Sequence, residues 1–266
     1  MMRRGPMKSR GAILACVAAA ICAAAQPARA AGTEFMEYDV TWVGLSVGAM
    51  TIRSETNGAG RTTRSLHLWN RPWVALVYPV DSTVECTIEP TPEGPRHVVV
   101  KKVAEKNFFQ DDTLVLYPDQ GLAIWSNALA QTSFRTAVPK GSRDLVSFFF
   151  DLRDVLASGP MQVGGDYRLV MDGAIHELEI KAGEPRTIRT PQGRLKAIPV
   201  QAKSKSPTLF SRNRPESVWI STGTPAVISA DVASRFGPVR LKLVRWERDG
   251  APVDWGAAEV PTPENR

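Results

Sequence analysis

Apolar and polar residues alternate through most of the chain. In residues 37–42 the apolar Tyr38, Val40 and Trp42 alternate with Glu37, Asp39 and Thr41, and a Gly-Leu-Ser turn leads into 47–54. A period of two sends successive side chains to opposite faces of a strand. The same period predicts strands at 63–69, 83–89, 96–104, 113–117, 122–126, 167–171, 174–181, 186–190, 195–202, 217–221, 226–233 and 239–248. Turn signals punctuate them: Pro118-Asp119-Gln120-Gly121, Pro191-Gln192-Gly193 and the two-residue hairpin signal Asp172-Gly173. About a dozen short strands joined by tight turns predict an all-β, mainly antiparallel domain. An open sheet of that size curls or splits. The expected architecture is therefore a curled sheet, half-barrel or barrel, with a two-sheet sandwich as the alternative.

One segment has a different period. In 144–156, Leu145, Phe148, Phe149, Leu152 and Leu156 are spaced for one face of a helix, which Gly159-Pro160 ends. This helix is a candidate lid. Residues 71–79, bounded by Pro72 and Pro79, read as a second short helix or an apolar loop.

The N-terminus changes how the rest is read. Arg3, Arg4, Lys8 and Arg10 precede an apolar run over 12–25 and the small-residue pattern Ala28-Arg29-Ala30. These are the three parts of a secretory signal, with cleavage expected near Ala30. The run is shorter than the roughly 20 residues that span a bilayer, so no transmembrane helix is expected in the mature protein. The expected location is the periplasm. The organisation is then signal 1–30, one β-rich domain 31–250 and a flexible tail 251–266. The whole chain carries +6, but residues 1–30 hold five Lys or Arg and no Asp or Glu, which leaves +1. The basic balance is thus no argument for nucleic-acid binding. Of three cysteines only Cys86 remains, so no internal disulfide forms. Cys86 shares a strand face with Val84 and Ile88 and reads as a buried structural thiol.

Little in the sequence indicates catalysis. His67, His97 and His176 have no metal-ligand spacing, and no catalytic motif is present. No catalytic residue, metal ligand or cofactor is expected. His97 follows a Pro-rich turn and is expected to be solvated. His176 is expected in the core, and His67 shares the Ser65/Trp69 face. Asp111 and Asp112 point apart in a strand. Asp151 and Asp154 flank Arg153 on what reads as a solvated helix face. Two features suggest binding. The tryptophans either fill the core or line an apolar cavity; with the helix they make Trp42, Trp69, Phe148, Phe149 and Leu152 candidate ligand contacts. Lys203, Lys205, Arg212 and Arg214 surround Leu209 and Phe210 with no acidic residue between them. That suits a membrane or partner surface, or a hairpin kept soluble by its charges.

Four segments in order, EYDVTWVGLSVGAMTI (37–52), SFFFDLRDV (147–155), TPQGRLKAIPV (190–200) and VWISTGTPAVISADVASRFGPVRLKL (218–243), resemble the exported bacterial family called domain of unknown function 3108. The resemblance implies an envelope β-protein and supplies no catalytic residue. The favoured function is a periplasmic, non-enzymatic binding protein or chaperone for a lipidic or amphipathic ligand. The alternatives are an assembly protein docking to an envelope partner and a hydrolase acting on cell-wall polymer.

Overall fold

The computed structural model describes residues 31–158, 164–205, 213–222, 224, 226–234 and 237–255. The segment read as a secretory signal lies outside them. The first run of elements is β1 (Gly32–Trp42), β2 (Leu45–Thr56), β3 (Thr62–Asn70), α1 (Pro72–Ala75), β4 (Val80–Glu89), β5 (Arg96–Glu105), β6 (Phe108–Tyr117), β7 (Leu122–Asn127) and β8 (Thr132–Ala137). After α2 (Leu145–Ser158) come β9 (Gly164–Met171), β10 (Ala174–Ala182), β11 (Arg186–Thr190), β12 (Gly193–Ser204), β13 (Asn213–Ser221), β14 (Val227–Ser234), β15 (Gly237–Arg248) and β16 (Ala251–Pro252).

All sixteen strands join one sheet in the order β8-β7-β6-β5-β4-β3-β2-β1-β15-β14-β13-β12-β10-β9, with β11 added to β12 and β16 to β15. The ladders are antiparallel, as hairpin connections require. The sheet does not close, so of the expected architectures the curled, half-barrel form is the one adopted. The Asp172-Gly173 hairpin forms as its sequence predicts, with φ of 51° and 73°. β8 was not expected. Its TSFRTA sequence leaves nearly every residue exposed, so it has no buried face to impose an alternation.

The curl has an interior, and α2 fills one end of it. The helix packs on β3 and β4 and also on β9 and β13, which stand far apart in the strand order. The sheet therefore wraps round it. Val146, Phe148 and Phe150 of α2 join Met36, Tyr38, Ile52, Leu169, Leu178, Ile220 and Trp246 in one core. The helix read as a lid thus serves as a plug within the curl.

Arg153 corrects the reading of α2's charged face as solvated. It is 5% exposed and donates to Glu34 Oε2 at 2.7 Å and Asp154 Oδ1 at 3.0 Å. Glu34, on β1, also accepts from Trp246 Nε1 at 2.9 Å. The Phe150 ring lies between two guanidinium groups, Arg64 at 4.3 Å and Arg153 at 4.7 Å. Helical spacing puts Arg153 beside Phe149 and Phe150. The inward Glu34 carboxylate is what makes its burial tolerable.

The two ends of the sheet meet through side chains. Asp172, at the β9–β10 tip, accepts from Lys101 Nζ at 2.7 Å and Gln110 Nε2 at 2.9 Å. Gly173 lies against Phe134 of β8, where an added Cβ would be 2.9 Å from Cζ. Arg143 adds a single parallel bridge to Leu169 on the outer edge of β9. The C-terminal segment packs further than its composition suggests: β16 pairs with β15, Val253 N donates to Trp246 O, and Trp255 is 4% exposed.

Phe150→Ala removes the ring that α2 buries deepest. It is expected to cost about 3–5 kcal/mol, read as a lower urea midpoint with an unchanged slope.

Candidate functional site

β1 starts at one end of the sheet and finishes at the other. Because the strands β1–β8 form an antiparallel meander, the connections β1–β2, β3–β4, β5–β6 and β7–β8 all lie where β1 finishes. Arg153 and Glu34 lie towards the other end, where β1 begins. The near end is open. A cavity of about 850 Å³ lies there among Trp42, Val47, Asn70, Trp73, Val77 and Val239. A second space of about 720 Å³ continues between Val40, Met50, Leu68, Val80, Val232 and Leu241. The two share Tyr78, Lys106, Ser234 and Val239, so they form one groove.

Strand alternation builds the walls. Val40 and Trp42 continue the inward face that Met36 and Tyr38 begin deeper in β1. Leu68 lies opposite Met50 on β2 and extends the inward face of Arg64 and Leu66. Gly48 lets β2 pass close to β3, since a Cβ there would lie 2.5 Å from the Trp69 carbonyl oxygen. α1 and the apolar turn after it close the outer side with Trp73, Val77 and Tyr78. Polar groups are few. Lys106 and Glu105 are the charged lining residues, and Lys106 Nζ stands 5.9 Å from the centre of the Tyr78 ring. Asn70 Oδ1 is buried in the wall without a hydrogen-bond partner among the described residues. Apolar walls with a small number of polar groups describe a small-molecule site.

A second cluster lies under α2. Asp144 caps the helix, its Oδ1 accepting from Ser147 N at 2.9 Å, and its Oδ2 bonds His97 Nδ1 at 2.7 Å. Ser147 Oγ lies 3.2 Å from the same His97 nitrogen and 3.7 Å from Cys86 Sγ. His97 is 5% exposed, which corrects the expectation that it is solvated. It sits opposite Ile88 on the inward face of β5, so the strand register outweighs the nearby turn. Cys86, His97 and Asp144 bring ligand-type atoms within 4.8 Å of one another. As a nucleophilic triad the geometry is wrong, because both polar partners share one imidazole nitrogen and no relay through the ring is formed. Burial, with the Asp144 carboxylate nearby, pushes the Cys86 thiol far above its ordinary value, so it stays protonated. A tetrahedral metal would need a fourth strong ligand, and Ser147 offers only a hydroxyl. The cluster satisfies its own polar atoms and anchors α2.

Of the residues expected at a ligand site, only Trp42 lines the groove. Trp69 lies on the opposite face of β3 from Leu66 and Leu68, its ring 4.6 Å from that of His67, which bonds Asp81 at 2.7 Å. Phe148 is buried in the core, and Phe149 and Leu152 pack against it. Lys203 and Lys205 are exposed, and Lys205 pairs with Asp166 at 3.0 Å. Leu209, Phe210 and Arg212 lie outside the described residues, as does the side chain of Arg214. His176 is a core residue, its Nε2 3.3 Å from Met171 O. Asp112 is buried and bonded by Asn127 and Gln110. Val40, Met50, Leu68 and Leu241 were missed as lining residues, although their alternation with polar neighbours marked them as inward-facing.

Burial alone would raise the Asp144 carboxyl. The hydrogen bond and charge of His97, with the Ser147 hydroxyl and amide, outweigh it and hold the group below its ordinary 3.8. A carboxyl so depressed contributes stability above its unfolded pKa and loses it as the pH falls through the folded value. Asp144→Asn should therefore destabilise the protein at neutral pH, and the gap to the unaltered protein should narrow as the pH drops below about 4. Urea melts over that range check the sign; a gap that widens on acidification would contradict it.

No curated protein matches this chain. Among solved structures, a beta-barrel-like protein of domain of unknown function DUF1849 from Brucella abortus superposes with a TM-score of 0.55 at 11% identity. The match covers 82% of this chain and 97% of that one, and at that identity it is a likeness of fold alone. No described helix is long and apolar enough to cross a membrane. The model of the family described as Protein of unknown function (DUF3108) matches residues 37–244, which takes in the groove, the plug and every strand from β2 to β14, and the chain belongs to that family.

Proposed function

We propose that the protein is a non-enzymatic carrier or chaperone that holds a lipidic or amphipathic ligand in the groove. The observation that carries the reading is the composition of the walls. Val40, Met50, Leu68, Val239 and Leu241 face a space large enough for a small ligand, and the charged groups gather near the β5–β6 turn. An alkyl chain in that space gains from leaving water at about 25 cal/mol per Å² of apolar surface. A polar head at the mouth keeps its water or meets Lys106. Asn70 Oδ1 offers a buried acceptor to a hydroxyl or amine that reaches it. The reading of residues 1–30 as a secretory signal supports placing this activity in the periplasm. There a lipid crossing between membranes needs an apolar shelter, since each CH₂ exposed to water costs about 0.8 kcal/mol.

The test is native mass spectrometry of protein purified without detergent, together with titration of a fluorescent fatty-acid probe. Discrete lipid adducts and saturable probe binding are expected. Val239→Trp fills the point where the two spaces join and should weaken the probe about tenfold, or about 1.4 kcal/mol, with an unchanged melting temperature. A clean apo mass with no probe binding would falsify the proposal.

A further inference from the structure

The two ends of the sheet differ in what their turns expose. At the far end the connections read Asn-Gly-Ala-Gly-Arg (57–61), Pro-Thr-Pro-Glu-Gly-Pro (90–95) and Pro-Asp-Gln-Gly (118–121), with no large apolar residue. At the mouth every connection of the β1–β8 meander carries one. Val43 is 71% exposed and Leu45 57% in the first; Trp73, Leu76 and Val77 are 55, 89 and 76% exposed in the second. Phe109 in the third is 63% exposed and Leu129 in the fourth 60%. With Trp42 and Phe108, nine of the fourteen large apolar side chains exposed among the described residues gather at this end. That is far from the single scattered residues normal on a soluble surface.

We infer that this rim is a bilayer-docking surface that seats the mouth of the groove on the membrane. Three properties select a lipid surface over a protein partner. The apolar residues come from separate tips at neighbouring positions in the strand order, so they form an arc of projections and not a flat face. Each tip sinks independently into the headgroup layer without the rigid complementarity that a protein interface needs. The segments 42–47, 71–80, 106–110 and 128–131 contain Arg71 and Lys106 and no acidic residue, which complements anionic headgroups. The backbone is already satisfied where it would lose water: Val74 N, Ala75 N, Val77 N and Tyr78 N donate within the α1 turn, and Lys106 N donates to Pro79 O at 2.9 Å. Lowering these tips into the interface therefore strands few polar groups. Trp73 and Tyr78 suit the headgroup level, where aromatic side chains gather.

The inference deepens the carrier reading and rests on it for purpose, since a docked mouth lets the ligand pass between bilayer and groove without crossing water. The contact itself is tested separately. The full mature protein is mixed with vesicles of phosphatidylethanolamine and phosphatidylglycerol and followed by flotation and by tryptophan emission. It is expected to float with the vesicles, less so as salt is raised, and its emission should shift to the blue. The double variant Leu76→Ser/Val77→Ser changes two strongly exposed residues. It should lose partitioning by about tenfold or more, while its melting temperature and its affinity for the fatty-acid probe in detergent-free buffer stay as before. Protein that binds the probe but never floats would overturn the docking surface and leave the groove reading standing. Protein that floats but binds no probe would uphold docking and remove the carrier. If light scattering shows a dimer that the double variant abolishes, and vesicles capture neither form, the rim is a self-association face and the inference fails.

Discussion

A sheet wound most of the way round, but not joined to itself, has a hollow interior that water must not enter unmatched and two edges that must be held. The structure meets the first demand with one helix. α2 lies inside the curl, its cap Asp144 bonded to His97 on β5 and its Arg153 bonded to Glu34 on β1. Both contacts are buried and polar, so each is specific in direction as well as favourable when formed. Moving the helix along the curl would leave buried charges without partners, a far larger penalty than sliding an apolar face. The helix position therefore divides the interior. One half is a packed core, and the other, beyond the reach of α2, remains open as the groove.

The second demand is met at the seam. Asp172 holds Lys101 and Gln110, Phe134 lies against Gly173, and Arg143 supplies one backbone bridge on β9. A short positive-φ hairpin serves well here, since the Asp172-Gly173 turn carries its carboxylate across to the β5–β6 side without an intervening loop. The seam and the plug are linked through the chain. The segment that leaves β8 runs to Arg143 on β9 and then directly into Asp144 and α2.

Strand placement was largely legible because it depends on a local alternation, and the helix because its period breaks that alternation. β8 was not legible, since TSFRTA buries no face. The buried cluster was only half legible. Cys86 was read correctly from its strand-mates Val84 and Ile88, yet His97 was assigned to solvent because a neighbouring turn weighed more than its own inward register. Arg153 was misread for a similar reason. Its partner Glu34 lies 119 positions away in sequence, and no local pattern announces a buried ion pair that the fold assembles. The groove was legible in kind and not in membership. Aromatic residues drew attention to Trp69 and Phe149, while the wall is mostly Val, Leu and Met. Those residues look like ordinary core until the end of the helix leaves them uncovered. The difference between the two sets of turns stands in the sequence for anyone who sorts connections by the end of the sheet they occupy, but that sorting needs the strand order first.

The seam also sets how the molecule yields. In a barrel closed by a full ladder, widening the bore means breaking a column of backbone bonds together. Here the edges of β8 and β9 are held by one carboxylate, one aromatic contact and one bridge, with the latter two at different heights along the bore. The tip contacts lie at the mouth and the bridge lies towards the plug, so the wall can spread near the opening while the far end keeps its girth. The fold is in effect a tapered sleeve with an elastic cuff, able to take up cargo of unequal thickness without disturbing the helix that stoppers it.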